Sequence, residues 1–221
     1  MKDITVNENV LTETGELNGD GSAFRVWTPI GTEANAYTGE FRGNEHTVSG
    51  LYFNSRSADY VGLFGYVGSG GTVENVGVID SYFYAGSYVG GVAGCNRGTL
   101  QYVYNTGNVN GSRYAGGVTG YNNYILQYAY NTGFAGGAAY YGGIVGDNRH
   151  TLKDCYYLAD SETDSFDGTT AKTAAQFASG EVAYLLGSPF GQNIGTNSLP
   201  VLYGETVYYG YTSCGDTAAK Y

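Results

Sequence analysis

The sequence predicts an all-β solenoid with coils of about 26 residues. The phrase LQYVYNTGNV at 100–109 returns as LQYAYNTGFA at 126–135, which sets that period. The 221 residues include 37 Gly and 24 Tyr but only 3 Pro. A 26-residue unit is too short for a pair of long helices, and Gly, β-branched and aromatic residues favour short strands joined by turns. Three strands per unit would make one coil.

Four copies of the unit stand in line, beginning at Tyr60, Tyr88, Tyr114 and Tyr140. We therefore expect one continuous domain in three parts. Residues 1–59 form an N-terminal cap and first coil, and residues 60–160 form the four repeats. Residues 161–221 contribute an acidic loop, a short helical cap and terminal strands.

Alignment of the copies places apolar residues at equivalent positions, which should stack inward from coil to coil. The ladders that begin with Val73 and Val76 are three residues apart in every copy. This spacing breaks strict alternation and indicates a bend at a corner. Gly65, Gly94, Gly120 and Gly146 recur where a positive φ or a close approach of coils would exclude a side chain. The ladders are Leu63, Val92, Val118 and Ile144; Val73, Leu100, Leu126 and Leu152; Val76, Val103, Ala129 and Cys155; and Phe83, Val109 and Ala135.

The ends of a solenoid need covering, because an open coil exposes its core and unpaired backbone. Residues 1–26 are expected to supply an irregular first strand and N-terminal cover. The stretch TTAKTAAQFASGEVAYLLG, 169–187, is the helix-like part of the chain, with a break at Ser179-Gly180. We expect it to lie over the C-terminal end, followed by a short terminal hairpin within 198–214.

Several motifs carry a family resemblance. GLFG at 62–65 and the later GGVAG, GGVTG and GGIVG resemble the GLUG repeat of bacterial secreted and cell-surface proteins. WTPIGT at 27–32 and GEFRGNEHTVSGLYF at 39–53 are similar to the segment that leads into such repeats. DCYYLAD and FASGEVAYLLG are similar to the usual ending, so the resemblance spans roughly residues 27–203.

The resemblance implies a right-handed parallel β-helix with a short helical C-terminal cap, within a larger surface polypeptide. Such proteins are often adhesin-like, and the repeat also occurs in the non-catalytic region of IgA-cleaving metallopeptidases. No defined chemistry is implied for the repeat itself. The expected location is extracellular or on the bacterial cell surface, and the expected fragment is monomeric.

Charge and hydropathy exclude some partners. The formal net charge is −10, so the chain should repel nucleic acid and anionic membranes. A run of about 18 apolar residues is absent from the sequence, so we expect no membrane insertion of this fragment. A glycan or a host or extracellular protein remains as the expected partner.

The sequence does not favour an enzyme. It contains two histidines, His46 and His150, and neither H-E-x-x-H nor G-x-S-x-G. Glycoside hydrolysis needs two nearby carboxylates, but the acidic residues of the repeats have no acidic equivalent one coil away. We expect no cofactor and a non-catalytic adhesive or stalk module. The alternatives are an accessory domain of a secreted peptidase or glycan-active enzyme and, with less support, a polysaccharide lyase or hydrolase.

One acidic run leaves a metal alternative open. Asp160, Glu162, Asp164 and Asp167 could gather oxygens around Ca²⁺, although the run does not match an EF-hand loop. We interpret it as a solvated loop and keep calcium as the weaker option.

Tyrosine ladders are the candidate binding residues. Tyr104, Tyr130 and Tyr156 form one ladder and Tyr102 and Tyr128 a second, while the four tyrosines that open the units form a third. Rings about 4.8 Å apart suit structural stacking. If the first two ladders are exposed, they could instead form a flat platform for sugar faces or a partner protein. Cys155 is expected to be buried, and Cys95 to be a partly exposed thiol at a turn.

Overall fold

A computed structural model describes residues 2–159 and 168–209 and the backbone of residues 219–220. Over these residues the chain is all-β apart from two short helices, as predicted. In chain order, the elements are β1 (Ile4–Thr5), β2 (Glu40–Arg42), β3 (Thr47–Ser49), β4 (Tyr52–Ser55), β5 (Phe64–Val67), β6 (Thr72–Ile79), β7 (Tyr82–Gly90), β8 (Ala93–Asn96), β9 (Thr99–Asn105), β10 (Asn108–Gly116), β11 (Thr119–Asn122), β12 (Ile125–Asn131), β13 (Ala135–Gly137), β14 (Tyr141–Gly142), β15 (Val145–Asn148), β16 (Leu152–Leu158), β17 (Thr169–Lys172), α1 (Ala174–Ala178), α2 (Glu181–Leu186), β18 (Phe190–Gly191), β19 (Val201–Leu202), β20 (Val207–Tyr208) and β21 (Ala219–Lys220).

Three parallel sheets form the walls of a β-solenoid of about four coils. The first wall has the order β1-β3-β6-β9-β12-β16-β17, with β2 also paired to β6. The second wall is β13-β10-β7-β4, with β14 also paired to β10, and the third is β15-β11-β8-β5. Strands that are neighbours in a wall lie one coil apart in sequence, so each coil visits the third, first and second walls in turn.

The inward ladders have the predicted register. Leu126 pairs with Leu100 on one side and with Leu152 on the other, and Ala129 lies between Val103 and Cys155 in the same way. Leu126 and Cys155 are both fully buried. The chain therefore fills its core with apolar residues that stack at equivalent positions from coil to coil.

The predicted bend between two ladders is a left-handed backbone position. Asn75, Tyr102, Tyr128 and Asp154 occupy the equivalent position in successive coils, and each has a φ between 50° and 55°. This single residue turns the strand without leaving the parallel register, which explains the spacing of three between the ladders.

The recurring glycines are needed because neighbouring coils approach closely. A Cβ added to Gly120 would lie 2.4 Å from the backbone nitrogen of Val89 and 2.6 Å from the carbonyl oxygen of Tyr114. Of the two explanations for these glycines, the close approach is confirmed at this position.

Buried asparagines support the corners, which the sequence analysis did not predict. The Asn96 amide donates to Asn122 over 2.8 Å, and the Asn122 amide donates to Asn148 over 2.8 Å. Asn105 and Asn131 make the same contact at 2.9 Å on another corner. Each of these amides also donates to a nearby backbone carbonyl group, so its nitrogen has a partner.

The helical cap is present, but it does not lie where the sequence analysis placed it. Thr173 begins α1 with a capping box to Gln176, and Gly180, at φ 90°, separates α1 from α2 as predicted. The helices pack against the outer side of the first wall, through Phe177, Val182 and Leu186. Their apolar residues therefore cover a lateral strip of the solenoid.

The chain ends are tied to the coils in different ways. At the N-terminus, β1 extends the first wall, and the Asp80 carboxylate accepts hydrogen bonds from the backbone of Val10 and Leu11 at 3.2 and 2.8 Å. Near the C-terminus, β19 pairs antiparallel with β18, and β20 pairs with β21. Within 198–209 the structure therefore shows no hairpin, and the rest of the predicted hairpin, 210–214, lies outside the described residues. The helices of the described residues have five and six residues, and neither is long and apolar enough to cross a membrane.

Candidate ligand-binding groove

The first predicted binding ladder, Tyr104, Tyr130 and Tyr156, is buried, and we call it the covered row. Its exposed fractions are 9%, 1% and 7%. The Tyr104 and Tyr130 rings stack at 4.8 Å, and Phe177 and Phe190 pack over Tyr130. The prediction of an exposed platform here is wrong, because three outward rings form an apolar strip that the C-terminal segment covers.

The buried hydroxyl of Tyr130 has a partner in the covering segment. It donates to the carbonyl oxygen of Pro200 over 2.7 Å. Burial raises the pKa of Tyr130 well above its ordinary value, and it raises the pKa of Tyr104 and Tyr156 to about 12. The covered row is therefore a neutral part of the core, in which the Tyr130 hydroxyl is hydrogen-bonded.

The second predicted ladder, Tyr102 and Tyr128, is a half-buried pair. The rings stack at 4.9 Å with an angle of 4°, so each covers one face of the other. The Lys153 ammonium donates to the Tyr128 hydroxyl over 3.1 Å and lies 5.3 Å from its ring centroid. In the flanking coils the equivalent residues are Asn75 and Asp154, so the aromatic surface is only two coils long.

The tyrosines that open the units form a longer stack, the head row: Tyr60, Tyr88, Tyr114 and Tyr140. Successive ring centroids are 4.9, 5.0 and 5.2 Å apart. All four have a φ between 52° and 60°. A left-handed backbone is uncommon for a bulky residue and is preferred by Gly and Asn, so the row keeps its tyrosines at an energetic cost.

Stacking decides which atoms the head row offers. Because the faces between successive rings are covered, the row presents mainly ring edges and hydroxyl groups, apart from Tyr140 at its end, which is 61% exposed. The idea of a flat platform for sugar faces is therefore wrong for these ladders, since sugar faces would need uncovered ring faces.

A second ladder lies beside the head row and consists of Tyr66, Cys95, Tyr121 and Asp147, which pair in register. We call it the floor row. Tyr66 packs edge-on against Tyr60 at 5.4 Å, and Tyr121 packs edge-on against Tyr88 at 5.8 Å. Cys95, the small member of the row, lies between Tyr66 and Tyr121.

The two rows enclose the tyrosine groove, which has a volume of about 450 Å³. Phenol hydroxyls and a few charged side chains line it, a composition suited to a polyhydroxyl ligand. Its lining residues are Glu33, Tyr60, Tyr66, Tyr88, Cys95, Arg97, Tyr114, Tyr121, Asp147 and Arg149.

Tyr66 and Cys95 of the floor row are uncharged at neutral pH, and the carboxylate at the end of the row, Asp147, is paired with Arg149. Burial raises the pKa of Tyr66 to about 12 and that of the Cys95 thiol to about 11. Cys95 is only 2% exposed, so the prediction of a partly exposed thiol is wrong. Cys95 aligns with Tyr121 and Asp147, which predicted an exposed turn position. In the structure, large neighbours cover the shorter cysteine side chain.

Three arginines lie near the tyrosines of the groove. The Arg97 guanidinium lies 5.7 Å from the Tyr66 ring centroid, and Arg113 lies 4.6 Å from the Tyr114 centroid at the edge of the head row. Arg149 pairs with Asp147 at 3.0 Å. Among the described residues, Arg97 forms no salt bridge.

The head row is visible in the sequence as a repeated tyrosine, but that repeat alone predicted no binding role for it. A repeated tyrosine does not indicate a positive φ, whereas glycine or asparagine would. In addition, all three tyrosine ladders look alike in sequence. The acidic residues Asp160, Glu162, Asp164 and Asp167 lie outside the described residues, so the calcium option stays a prediction.

Comparisons with known proteins match parts of this chain. No family model matches it, so the resemblance to the GLUG repeat rests on its motifs. Halomucin of Haloquadratum walsbyi is 40% identical over 93 residues, which are 42% of this chain and 1% of halomucin. A protein of Evansella cellulosilytica described as a Gly-rich membrane protein is 35% identical over 80 residues, 35% of this chain and 9% of that protein. The chain thus spans a small part of either relative.

One solved structure shares the fold. The crystal structure of a Bacteroides ovatus protein described as an immunoglobulin A1 protease superposes with a TM-score of 0.53 at 14% identity. The match covers 91% of this chain and 84% of the other. At this identity the likeness shows a common architecture and nothing about activity.

Proposed function

We propose that this chain is a non-catalytic module of a bacterial surface or secreted protein, acting in adhesion or as a stalk, and that it binds a glycan in the tyrosine groove. The names of the relatives, halomucin and a Gly-rich membrane protein, support a surface setting. The small share of each relative that is matched supports a module within a longer chain.

The observation that carries the binding proposal is the head row. Four tyrosines stand at a left-handed backbone position that asparagine would occupy at lower cost, as Asn75 does elsewhere in the same coils. Strain that recurs beside a polar groove is typical of a binding site. Tyrosine hydroxyls both donate and accept hydrogen bonds, as do sugar hydroxyls.

The carboxylates of the repeat region support a non-catalytic role, because each has a partner within the fold rather than a second carboxylate beside it. The Asp59 carboxylate, for example, accepts the backbone N–H of Ser87 over 2.7 Å. The other pairs are Glu74 with Gln101, Asp80 with Val10 and Leu11, Asp147 with Arg149, and Asp154 with Lys153.

The second candidate is an accessory domain that holds substrate for a secreted peptidase or glycan-active enzyme. The fold shared with a protein described as an immunoglobulin A1 protease is the observation that favours it. The groove would serve both roles, and the full-length chain would distinguish them by the presence of a catalytic domain beside this one.

Tyr88→Asn tests the groove. Asparagine tolerates the left-handed backbone, so this variant removes the ring with little added strain. In a glycan array followed by calorimetry, we expect affinity to fall about tenfold or more, as for a central contact residue.

Tyr128→Asn is the matched control. Tyr128 is also stacked and has a φ of 53°, but it does not line the groove. Equal affinities for wild type and Tyr88→Asn would refute the groove as the binding site, and the absence of any bound glycan would refute the proposed function.

A further inference from the structure

Resting on the proposed function, we infer that the tyrosine groove selects glycans that carry carboxylates, and that Arg97 is the residue that binds the carboxylate. The chain as a whole has a net charge of −10, so an acidic polymer needs a local cationic site to approach. Within the groove, Arg97 supplies a positive charge that forms no salt bridge among the described residues.

In the part of the chain that the structure describes, Arg97 is not ion-paired, although the Glu33 carboxylate also lines the groove, where it lies near the Tyr60 hydroxyl. Its guanidinium faces Tyr66, Cys95 and Tyr121, which contribute phenols and a thiol rather than carboxylates. Within the described residues it makes no salt bridge, whereas Arg149 in the same groove is paired with Asp147. A guanidinium that has no carboxylate partner and lies beside phenols and a thiol can bind the two oxygens of a carboxylate with its N–H groups.

Sugar hydroxyls and the carboxylate would be recognised by different parts of the groove. The head row offers edge-on hydroxyls from successive coils about 5 Å apart, a periodic set of donors and acceptors along an extended chain. Arg113, over the ring of Tyr114, adds a second cation at the far edge of that row.

The probes are polygalacturonate, hyaluronan and polysialic acid, each compared with its carboxyl-reduced form by calorimetry at low salt. We expect at least one acidic polymer to bind and its reduced form to bind about tenfold more weakly or not at all. Added salt should weaken binding of the acidic form.

Arg97→Gln should remove the preference for the acidic form, lowering its affinity about tenfold or more. Arg56→Gln is the matched control: Arg56 is also exposed and lies 5.2 Å from a tyrosine ring, that of Tyr84, but it does not line the groove. If Arg97→Gln fails to fold, the native-versus-reduced comparison and the salt dependence of the wild type decide the question.

The outcomes separate the two proposals. Equal affinity for acidic and reduced polymers, with Tyr88→Asn still weakening both, overturns the carboxylate inference and leaves the proposed function standing. Binding to acidic polymers that Arg97→Gln and Arg56→Gln weaken equally overturns the role of Arg97. If the wild type binds none of the six polymers and no glycan on an array, both proposals fail.

Discussion

Replacing Tyr130 should destabilise the protein strongly, because this ring joins the solenoid to its covering segment. It is 1% exposed, stacks on Tyr104, and contacts Phe177 and Phe190 with centroids 5.8 and 5.6 Å away. Truncation of a buried aromatic side chain to alanine costs about 3–5 kcal/mol. We expect Tyr130→Ala to lower the free energy of unfolding by about 4 kcal/mol, a large share of the 5–15 kcal/mol typical of a domain.

Tyr130→Phe separates the hydroxyl from the ring. The variant keeps the packing but leaves the carbonyl oxygen of Pro200 without its 2.7 Å donor, so we expect a smaller loss of about 1 kcal/mol. Urea unfolding monitored by circular dichroism gives both values, and limited proteolysis reports whether the segment that contains α1 and α2 is released. The half-buried Tyr128, changed to alanine, serves as the control.

The burial of the covered row would be contradicted if the free energy of unfolding of Tyr130→Ala lay within about 1 kcal/mol of the wild type and the variant resisted proteolysis equally. Such a result is incompatible with a fully buried ring. A loss for Tyr128→Ala as large as that for Tyr130→Ala would also contradict it. The loss of stability would then follow from the loss of stacking, which both tyrosines share, and not from the burial of Tyr130.

Two further perturbations test the core and the groove floor. Leu126→Asp should prevent folding, because an unpaired carboxylate between Leu100 and Leu152 has no compensation; a soluble variant with a cooperative melt would show that the inward face is wrong. Alkaline pH should lower stability, because burial raises the pKa of Cys95 from 9.0 to about 11 on folding. The contribution of the neutral thiol to the free energy of unfolding is therefore complete below pH 9.0 and is lost as the pH rises through about 11. Urea unfolding across that window should show a smaller decline for Cys95→Ala than for the wild type, and an identical decline would contradict the burial of the thiol.

The coil register could be predicted from sequence because the repeats are nearly verbatim. Identical residues at Leu100 and Leu126 have to occupy equivalent positions, and the three-residue gap to Val103 and Ala129 exposed the corner as a departure from alternation. The helical segment was recognised for a similar reason, since apolar spacing and the Ser179-Gly180 break are local signals.

The placement of that segment could not be predicted, because an apolar face shows that a helix covers something and not what it covers. Tyr102 and Tyr104 are two residues apart and chemically identical, yet one is half-buried and the other lies under α1 and α2. Only the tertiary path of the chain distinguishes them. The groove could not be predicted for the same reason, since its two sides, the head row and the floor row, come from different ladders.

The covered row changes how the coils depend on one another. In a solenoid each coil contacts only its immediate neighbours, and stability is a sum of local and nearest-neighbour terms. Tyr104, Tyr130 and Tyr156 come from three successive coils, yet all belong to one apolar cluster with Phe177, Val182 and Leu186. The C-terminal segment therefore acts as a clasp that couples the first and third of these coils directly, so fraying of one coil must also detach a contact shared with the others.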